Sequence, residues 1–321
     1  MPKMKISAII PAYNSQDYIL DAIHSIQNQS HPIDEIIIVD DGSTDNTQHL
    51  IEGLPHPIVY IKQQNQGPSA ARNKGIELAK GDWVAFLDAD DQWTNDKIKK
   101  QLAVLKQNPE LHLIAGDMQE IGINNEMITK SVLAKHNLLA KFQTQPGAPI
   151  KNALAELVRK NFIPTGTVLA KRATLLEVGK FNTQIRFGED LELWAKVAAH
   201  YPITCLPEIL MLRRLHGLNA THSTALMLAD LVAVMQSIRT HTETILKQQN
   251  VDTAELVSNA WSDLGYWHFV NENYTQAKNA FYNAIKEKPN KRSLTYLTAC
   301  LLPQKLTKAL RKAKQNLSSQ S

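Results

Sequence analysis

Asp82-Trp83-Val84-Ala85-Phe86-Leu87-Asp88-Ala89-Asp90-Asp91 is the stretch on which the fold turns. Its apolar run predicts a strand over 83–87, and three carboxylates follow the strand end. Clustered carboxylates repel one another unless something positive sits among them. A hard divalent cation carrying a diphosphate suits such an Asp-x-Asp end, because Mg²⁺ is usually held by one or two carboxylates plus substrate phosphates. Read alone, the same residues serve equally as an acidic turn capping the next helix. The neighbouring segments separate the two readings.

Upstream, strand and helix signals alternate. Ile6-Ser7-Ala8-Ile9-Ile10 and Glu35-Ile36-Ile37-Ile38-Val39 read as buried strands, and Ile58-Val59-Tyr60-Ile61 as a third. Ile19, Ala22, Ile23 and Ile26 have helical spacing within 18–29. Helices are expected near 47–52, over 67–79 and over 96–107, with a further strand at 111–115. This order predicts an α/β fold: a Rossmann-like, mostly parallel sheet with flanking helices. Ligands of such sheets bind outside the carboxyl ends of the strands. Pro11-Ala12-Tyr13-Asn14, Asp40-Asp41-Gly42-Ser43, Asn65-Gln66-Gly67 and Asp88-Ala89-Asp90-Asp91 each follow one of the four strands. Four polar clusters on one sheet edge favour a site over four unrelated turns.

The middle of the chain is less regular. Asn124-Asn125-Glu126 predicts a turn, and Gly147-Ala148-Pro149 a loop. Residues 163–168 read as a strand. Gly188-Glu189-Asp190-Leu191-Glu192-Leu193-Trp194 opens a helix with a carboxylate pair at its start.

At 321 residues the chain has room for two domains, and its 43% hydrophobic and 21% charged content is that of an ordinary soluble protein. No apolar run approaches the roughly 18 residues of a spanning helix, and the N-terminus lacks a signal-peptide pattern. Cys205 and Cys300, the only cysteines, stand far apart in apolar surroundings, which fits reduced thiols and a cytoplasmic location. The net charge of +4 conceals an asymmetry: from Lys286 onward there are nine basic residues and one acid, leaving 26 basic and 30 acidic before it. Such a tail suits membrane lipid, a lipid-linked phosphate or nucleic acid, or is a solvated helix face. Leu306, Ala309, Leu310 and Ala313 give the tail a weak apolar face, so attachment at the inner face of a membrane is expected.

Beyond about residue 226 the pattern is helical. Trp261, Leu264, Gly265, Ala277, Phe281, Ala284 and Pro289 match one tetratricopeptide unit near 258–291, with His268 at a position usually aromatic. The expected division is a catalytic domain at 1–222 and a helical region at 223–321 ending in a basic tail helix.

Taken together, Ile10-Pro11-Ala12-Tyr13-Asn14, Val39-Asp40-Asp41-Gly42-Ser43-Thr44-Asp45, Asn65 to Asn73, Leu87 to Asp91 and Gly188-Glu189-Asp190 resemble the family-two glycosyltransferases of bacteria. The resemblance covers roughly residues 5–220 and implies a nucleotide-diphospho-sugar transferase fold with an inverting mechanism. It implies a nucleotide-sugar donor, UDP-linked by preference, and a glycan or lipid-linked hydroxyl acceptor in cell-surface polysaccharide synthesis. A divalent metal, Mn²⁺ or Mg²⁺, is implied as cofactor, and nucleic acid is not expected as a partner.

Site residues carry over by position. Tyr13, with Pro11 and Ala12, is expected to bind the uracil ring. Asp41, helped by Asp40, is expected to accept its N3–H, although one of the pair would cap the next helix. Arg72 is expected to meet the diphosphate and Asn73 to support its loop. Asp90 is the expected direct metal ligand, with Asp88 on ribose or a metal-bound water. His216 completes the metal site or lies in a surface loop, and Arg213 or Arg214 holds phosphate. Asp190 matches the catalytic base of an inverting transfer, with Glu189 raising its proton affinity. Asp91 orients the acceptor or caps a helix, and Trp194 lines the acceptor wall or packs in the core. The rival reading is a non-catalytic nucleotide-sugar or glycan-binding module with a helical interaction region. A dehydrogenase-type fold is excluded, because no G-x-G-x-x-G follows the first strand.

Overall fold

Mostly apolar runs rich in isoleucine and valine become strands sealed on both faces. Ile6–Ala12 (β1) is buried throughout, and Glu35–Asp40 (β2) at all but its first residue. Between them Ile19–Gln27 (α1) buries Ile19, Ala22, Ile23 and Ile26, the stripe of an amphipathic helix. Thr47–Glu52 (α2), Ile58–Lys62 (β3), Pro68–Leu78 (α3) and Trp83–Phe86 (β4) continue the alternation. Gln92–Trp93 (β5), Lys97–Gln107 (α4), Leu113–Ile121 (β6) and Met127–Thr129 (β7) follow. Then come Val132–Lys135 (α5), Leu139–Gln143 (α6), Ala153–Arg159 (α7), Leu169–Lys171 (β8), Arg172–Glu177 (α8), Glu189–His200 (α9) and Ile203–Arg214 (β9). The structure is a computed structural model and describes residues 4–54, 58–216 and 224–302. Its backbone separates into two units, Met1–Asn219 and Ala220–Ser321.

The strand order is β3-β2-β1-β4-β8-β6-β9-β5, with β7 paired to β6. β3, β2, β1 and β4 are parallel to one another. β8 is antiparallel to both β4 and β6, and β9 runs parallel to β6. Among the described residues, six of the nine strands therefore point one way, and β5, β7 and β8 run against them. The carboxyl ends of β1, β2, β3, β4, β6 and β9 open on one edge, where the polar motifs lie.

Two local features set what reaches that edge. A Cβ on Gly75 would come within 2.4 Å of Ile9 Cγ2, so a side-chain-free residue lets α3 lie hard against β1. That approach positions Arg72, one turn earlier. The strand expected over 163–168 is instead a 3₁₀ turn at Thr165–Thr167, and pairing begins only at Leu169. Pro164 fixes its own φ and lacks a backbone donor, while its carbonyl accepts from Thr167 Oγ1 at 2.8 Å. The Gly166 carbonyl accepts from the Trp93 indole at 2.8 Å.

Lys97 is wholly buried in α4. Its ammonium faces the Trp93 ring at 4.2 Å and donates to Gln101 Oε1 at 2.9 Å. Burial holds its pKa well below the ordinary 10.5. The unfolded chain keeps that proton up to the ordinary value, whereas the folded chain releases it at lower pH. Between the two pKa values the unfolded state binds more protons, so stability rises with pH. Lys97→Met is expected to flatten this dependence, measured as urea midpoints from neutral to pH 10. Parallel curves for the two proteins would refute a neutralised Lys97.

The second unit is helical: Thr224–Gln248 (α10), Thr253–Val270 (α11), Tyr274–Glu287 (α12) and Lys291–Leu301 (α13). Ala277, Phe281 and Ala284 are buried on α12, and a Cβ on Gly265 would meet the Phe281 ring at 2.8 Å. The small residue lets α11 and α12 pack closely. The tail helix expected at 306–314 lies outside the described residues. Among those described, no helix is long and apolar enough to cross a membrane.

Candidate active site

The turns after β1 and β2 are stitched together. The Asn14 amide donates to Ser43 Oγ at 2.9 Å, and Asn14 Oδ1 accepts from the Thr44 amide at 2.9 Å. Asn14 takes φ 47°, a left-handed conformation that asparagine tolerates. Pro11 and Ala12 are buried beneath, and Tyr13 stands 52% exposed. Its ring is available to stack on a planar group.

Asp40 and Asp41 divide their work. Asp40 is fully buried and accepts from the Ser43 amide at 2.7 Å and from the Tyr60 hydroxyl at 2.5 Å. Burial and then the Asp40 charge push the Tyr60 phenol pKa up, so the proton stays on Tyr60. Asp40 is thus the turn-capping member of the pair. Asp41 accepts from the Gln66 and Gly67 amides at 2.9 and 2.7 Å and from Gln63 Nε2 at 2.8 Å. It orders the loop that delivers α3 through Gly67, whose φ of +88° favours glycine.

Arg72 is the centre of the site. Its guanidinium donates to Asp88 at 2.6 Å and to Glu189 at 3.0 Å, joining the end of β4 to the start of α9. It also lies over the Phe181 ring, 5.4 Å from the centroid. Burial opposes its charge, but Asp88 and then Glu189 outweigh it, so the guanidinium pKa is raised. Among the described residues, Arg72 Nε is buried with no partner. Asn73 exchanges two hydrogen bonds with the Phe181 backbone, at 2.8 and 2.9 Å.

After β4 the three aspartates separate. The Asp88 side chain is 38% exposed beside Arg72. Asp90 Oδ2 lies 2.9 Å from His216 Nε2, so the end of β9 brings His216 to the Asp-x-Asp turn. Tyr18 stacks on the His216 ring at 5.1 Å. Burial and then the Asp88 charge raise the Asp90 pKa, against the hydrogen bond from His216. Asp91 was expected to orient the acceptor or cap a helix. It is instead buried and accepts from the Arg214 amide at 2.9 Å. Burial and then Asp90 lift its pKa well above the usual range, so it is a structural link to β9. Arg214, one of two expected phosphate ligands, is also buried; its guanidinium holds Asp21 and Asn125, each at 3.0 Å. Arg213, the other, extends toward Glu120 at 3.7 Å.

Gly188, at φ +84°, turns the chain into α9, whose first residues are Glu189 and Asp190. Burial raises both pKa values, that of Glu189 to about 7. Arg72 pulls both down, while Asp88 pushes both up. Asp190 also lies 3.5 Å from Asn161 Nδ2. Trp194 is not an acceptor wall: it is fully buried, packed on Phe181 at 5.6 Å and Phe86 at 6.2 Å. It supports the site from beneath. Asn161, Phe181, Tyr18 and Asp21 also touch site residues, and no sequence reading singled them out. They lie in irregular segments or on helix positions where spacing carries no signal.

Among the described residues, no group of three or more His, Cys, Asp or Glu is placed to cage a metal. Asp90 and His216 supply an oxygen and a nitrogen together, beside a further carboxylate on Asp88. Mutual repulsion and burial leave this cluster short of positive charge. That donor set fits a hard cation whose remaining ligands arrive with substrate phosphates.

The glycosyl transferase family 2 profile matches residues 7–161. The uncharacterized glycosyltransferase alr2836 of Nostoc sp. is 32% identical over 237 residues, 69% of this chain and 68% of that one. The amylovoran biosynthesis glycosyltransferase AmsB of Erwinia amylovora is 38% identical over 115 residues, 33% of this chain and 38% of that one. Matches to TuaG of Bacillus subtilis and to a glycosyltransferase of Rickettsia felis span 43% and 33% of those proteins, less than half of each. The crystal structure of S. aureus TarS 1-349 in complex with UDP-GlcNAc superimposes with a TM-score of 0.66 at 19% identity, over 97% of this chain and 88% of that one. That likeness is one of fold.

Proposed function

The chain belongs to glycosyl transferase family 2, and from that premise we propose that it transfers a sugar with inversion from a UDP-linked donor to a hydroxyl of a glycan or lipid-linked acceptor in polysaccharide synthesis. One observation carries the reading. A single buried guanidinium joins two carboxylate centres about a hundred residues apart, Asp88 at 2.6 Å and Glu189 at 3.0 Å. It draws the strand-end carboxylates and the α9 pair into one site. TarS in complex with UDP-GlcNAc supports a UDP donor, and the name of AmsB supports a polysaccharide product.

In this proposal Tyr13 stacks on the uracil, and Asp41 accepts its N3–H through a lone pair left by the loop amides. Asp88 faces the ribose. Asp90 and His216 would hold a divalent cation, which would supply positive charge against the departing diphosphate. Asp190 accepts the proton of the acceptor hydroxyl as that oxygen bonds to C1, and the bond from C1 to the diphosphate breaks. Arg72 keeps the donor and acceptor carboxylates in register. The test is UDP release from UDP-hexoses and UDP-N-acetylhexosamines with Mn²⁺ or Mg²⁺. UDP binding without turnover of any donor would favour the binding-module reading instead.

Glu189 sets the pH response. The charged groups facing it are Arg72 from α3, Asp88 after β4 and Asp190 on its own helix. As Glu189 loses its proton near pH 7, a negative charge appears beside Asp190 and strengthens the base. The rate is expected to rise through neutral pH. In Glu189→Gln that acidic limb moves to lower pH, because Asp190 then titrates without the Glu189 charge beside it, with Arg72 and Asp88 remaining. An unchanged pH profile of kcat/KM would exclude this coupling.

A further inference from the structure

The hairpin of β6 and β7 extends from the sheet edge that carries the site. Met127 and Ile128 are successive strand residues, so their side chains leave opposite faces of the ribbon. Both are exposed, at 60% and 53%, and Ile123 before the turn is 58% exposed. Among the described residues, neither face of the tip is covered. Three large aliphatic side chains more than half exposed within six residues make a surface that water disfavours. The tip is also held in shape. The Gly122 amide donates to the Glu126 carbonyl at 2.8 Å, and Glu126 Oε2 accepts from the Asn124 amide at 3.1 Å. The acidic side chain of the tip is thereby turned back on its own backbone. Arg214 donates to Asn125 Oδ1 at 3.0 Å while its amide holds Asp91, so one residue fixes the hairpin to the Asp-x-Asp turn.

The segment that follows is basic. Residues 130–160 contain Lys130, Lys135, Lys141, Lys151, Arg159 and Lys160 against one acid, Glu156. Lys135 reaches Glu120 at the root of the hairpin, at 3.0 Å, and its side chain remains 53% exposed. Lys160 donates to the His136 carbonyl at 2.7 Å. An exposed apolar tip with a cationic flank matches a surface that is apolar inside and anionic outside. We propose that this hairpin docks on an anionic lipid bilayer: Ile123, Met127 and Ile128 enter the headgroup boundary, and the basic flank meets lipid phosphates. That docking presents the site edge to a membrane-borne acceptor, a last step that rests on the transfer reading above.

Sedimentation of the full chain with phosphatidylglycerol–phosphatidylethanolamine vesicles, and with phosphatidylcholine vesicles, tests it. The chain is expected to partition onto the anionic vesicles and far less onto the neutral ones. Ile123→Ser/Met127→Ser/Ile128→Ser is expected to lower that partition by roughly tenfold or more, with an unaltered thermal midpoint. Failure of the unmodified chain to sediment would overturn docking. So would equal sedimentation of the triple variant, or loss of binding only on removal of residues 303–321. Light scattering that shows the hairpin joining two copies, without vesicle binding, would assign the tip to a protein contact and refute the lipid one. None of these readouts needs turnover, so docking and transfer stand or fall separately.

Discussion

Asp190→Asn is expected to lower kcat by about 10³-fold, the middle of the range for a positioned general base, with UDP affinity unchanged. The substitution preserves shape and leaves the hydrogen bond from Asn161 a partner. It removes the negative charge, and with it the capacity to take a proton, and leaves one acceptor for the two donors that Asp190 serves, the Leu191 amide and Asn161 Nδ2. Asp190 is suited to that task because burial lifts its proton affinity while Arg72 restrains the rise. The raised proton affinity favours taking a proton from the acceptor hydroxyl. Single-turnover kinetics with saturating donor, alongside UDP titration, separate the two quantities. Turnover near the unmodified rate would remove Asp190 from the mechanism. A parallel loss of UDP binding would place it in donor recognition.

Arg72→Met is expected to cost about 3 kcal/mol of stability, at the low end for breaking a buried ion pair from one side. The arginine side chain is 6% exposed and Glu189 12%, so Glu189, whose pKa is about 7 even beside Arg72, would lose its compensation and carry an orphaned charge only above that pH. Asp88, at 38% exposure, contributes less, because water already screens it. For the unit that holds Arg72, Met1–Asn219, the cost corresponds to a fall of roughly 6–12 °C in Tm. Adding Glu189→Gln to Arg72→Met should recover much of the loss well above pH 7, where it removes the orphaned carboxylate charge. Calorimetry on the single and double variants gives the coupling directly. Additive losses would show that Arg72 stabilises through packing on Phe181 and not through charge. Arg72→Lys should rescue stability in part and transfer poorly, because an ammonium does not present two fixed donors to two separate carboxylates.

The parallel strands and their order of motifs were legible because each strand is a short, mostly apolar run followed by polar residues. Periodicity alone places such runs inside a sheet, and the strand direction then sends the polar residues to one edge. The turn at Thr165–Thr167 was not legible, since Pro164 breaks pairing in a stretch whose composition otherwise suits a strand. Trp194 was left between two readings, acceptor wall and core, for a related reason. Its helix position is clear from sequence, but which side of α9 faces the core depends on Phe86 and Phe181, from distant segments. Asp91 shows the same limit: a carboxylate next to a metal motif looks functional until the Arg214 amide is found against it.

By itself the sequence determined the α/β class, the sheet edge that bears the site and the residue types gathered there, because strand periodicity and turn chemistry are local. Only the tertiary structure decided which of those residues meet. The salt bridges from Arg72 to Asp88 and to Glu189 span 16 and 117 residues, and the contact of His216 with Asp90 spans 126. Contacts at such separations depend on how helices and strands pack, and no local pattern encodes them. The same packing split three adjacent aspartates into an ion-pair partner, a candidate metal ligand and a buried link to β9.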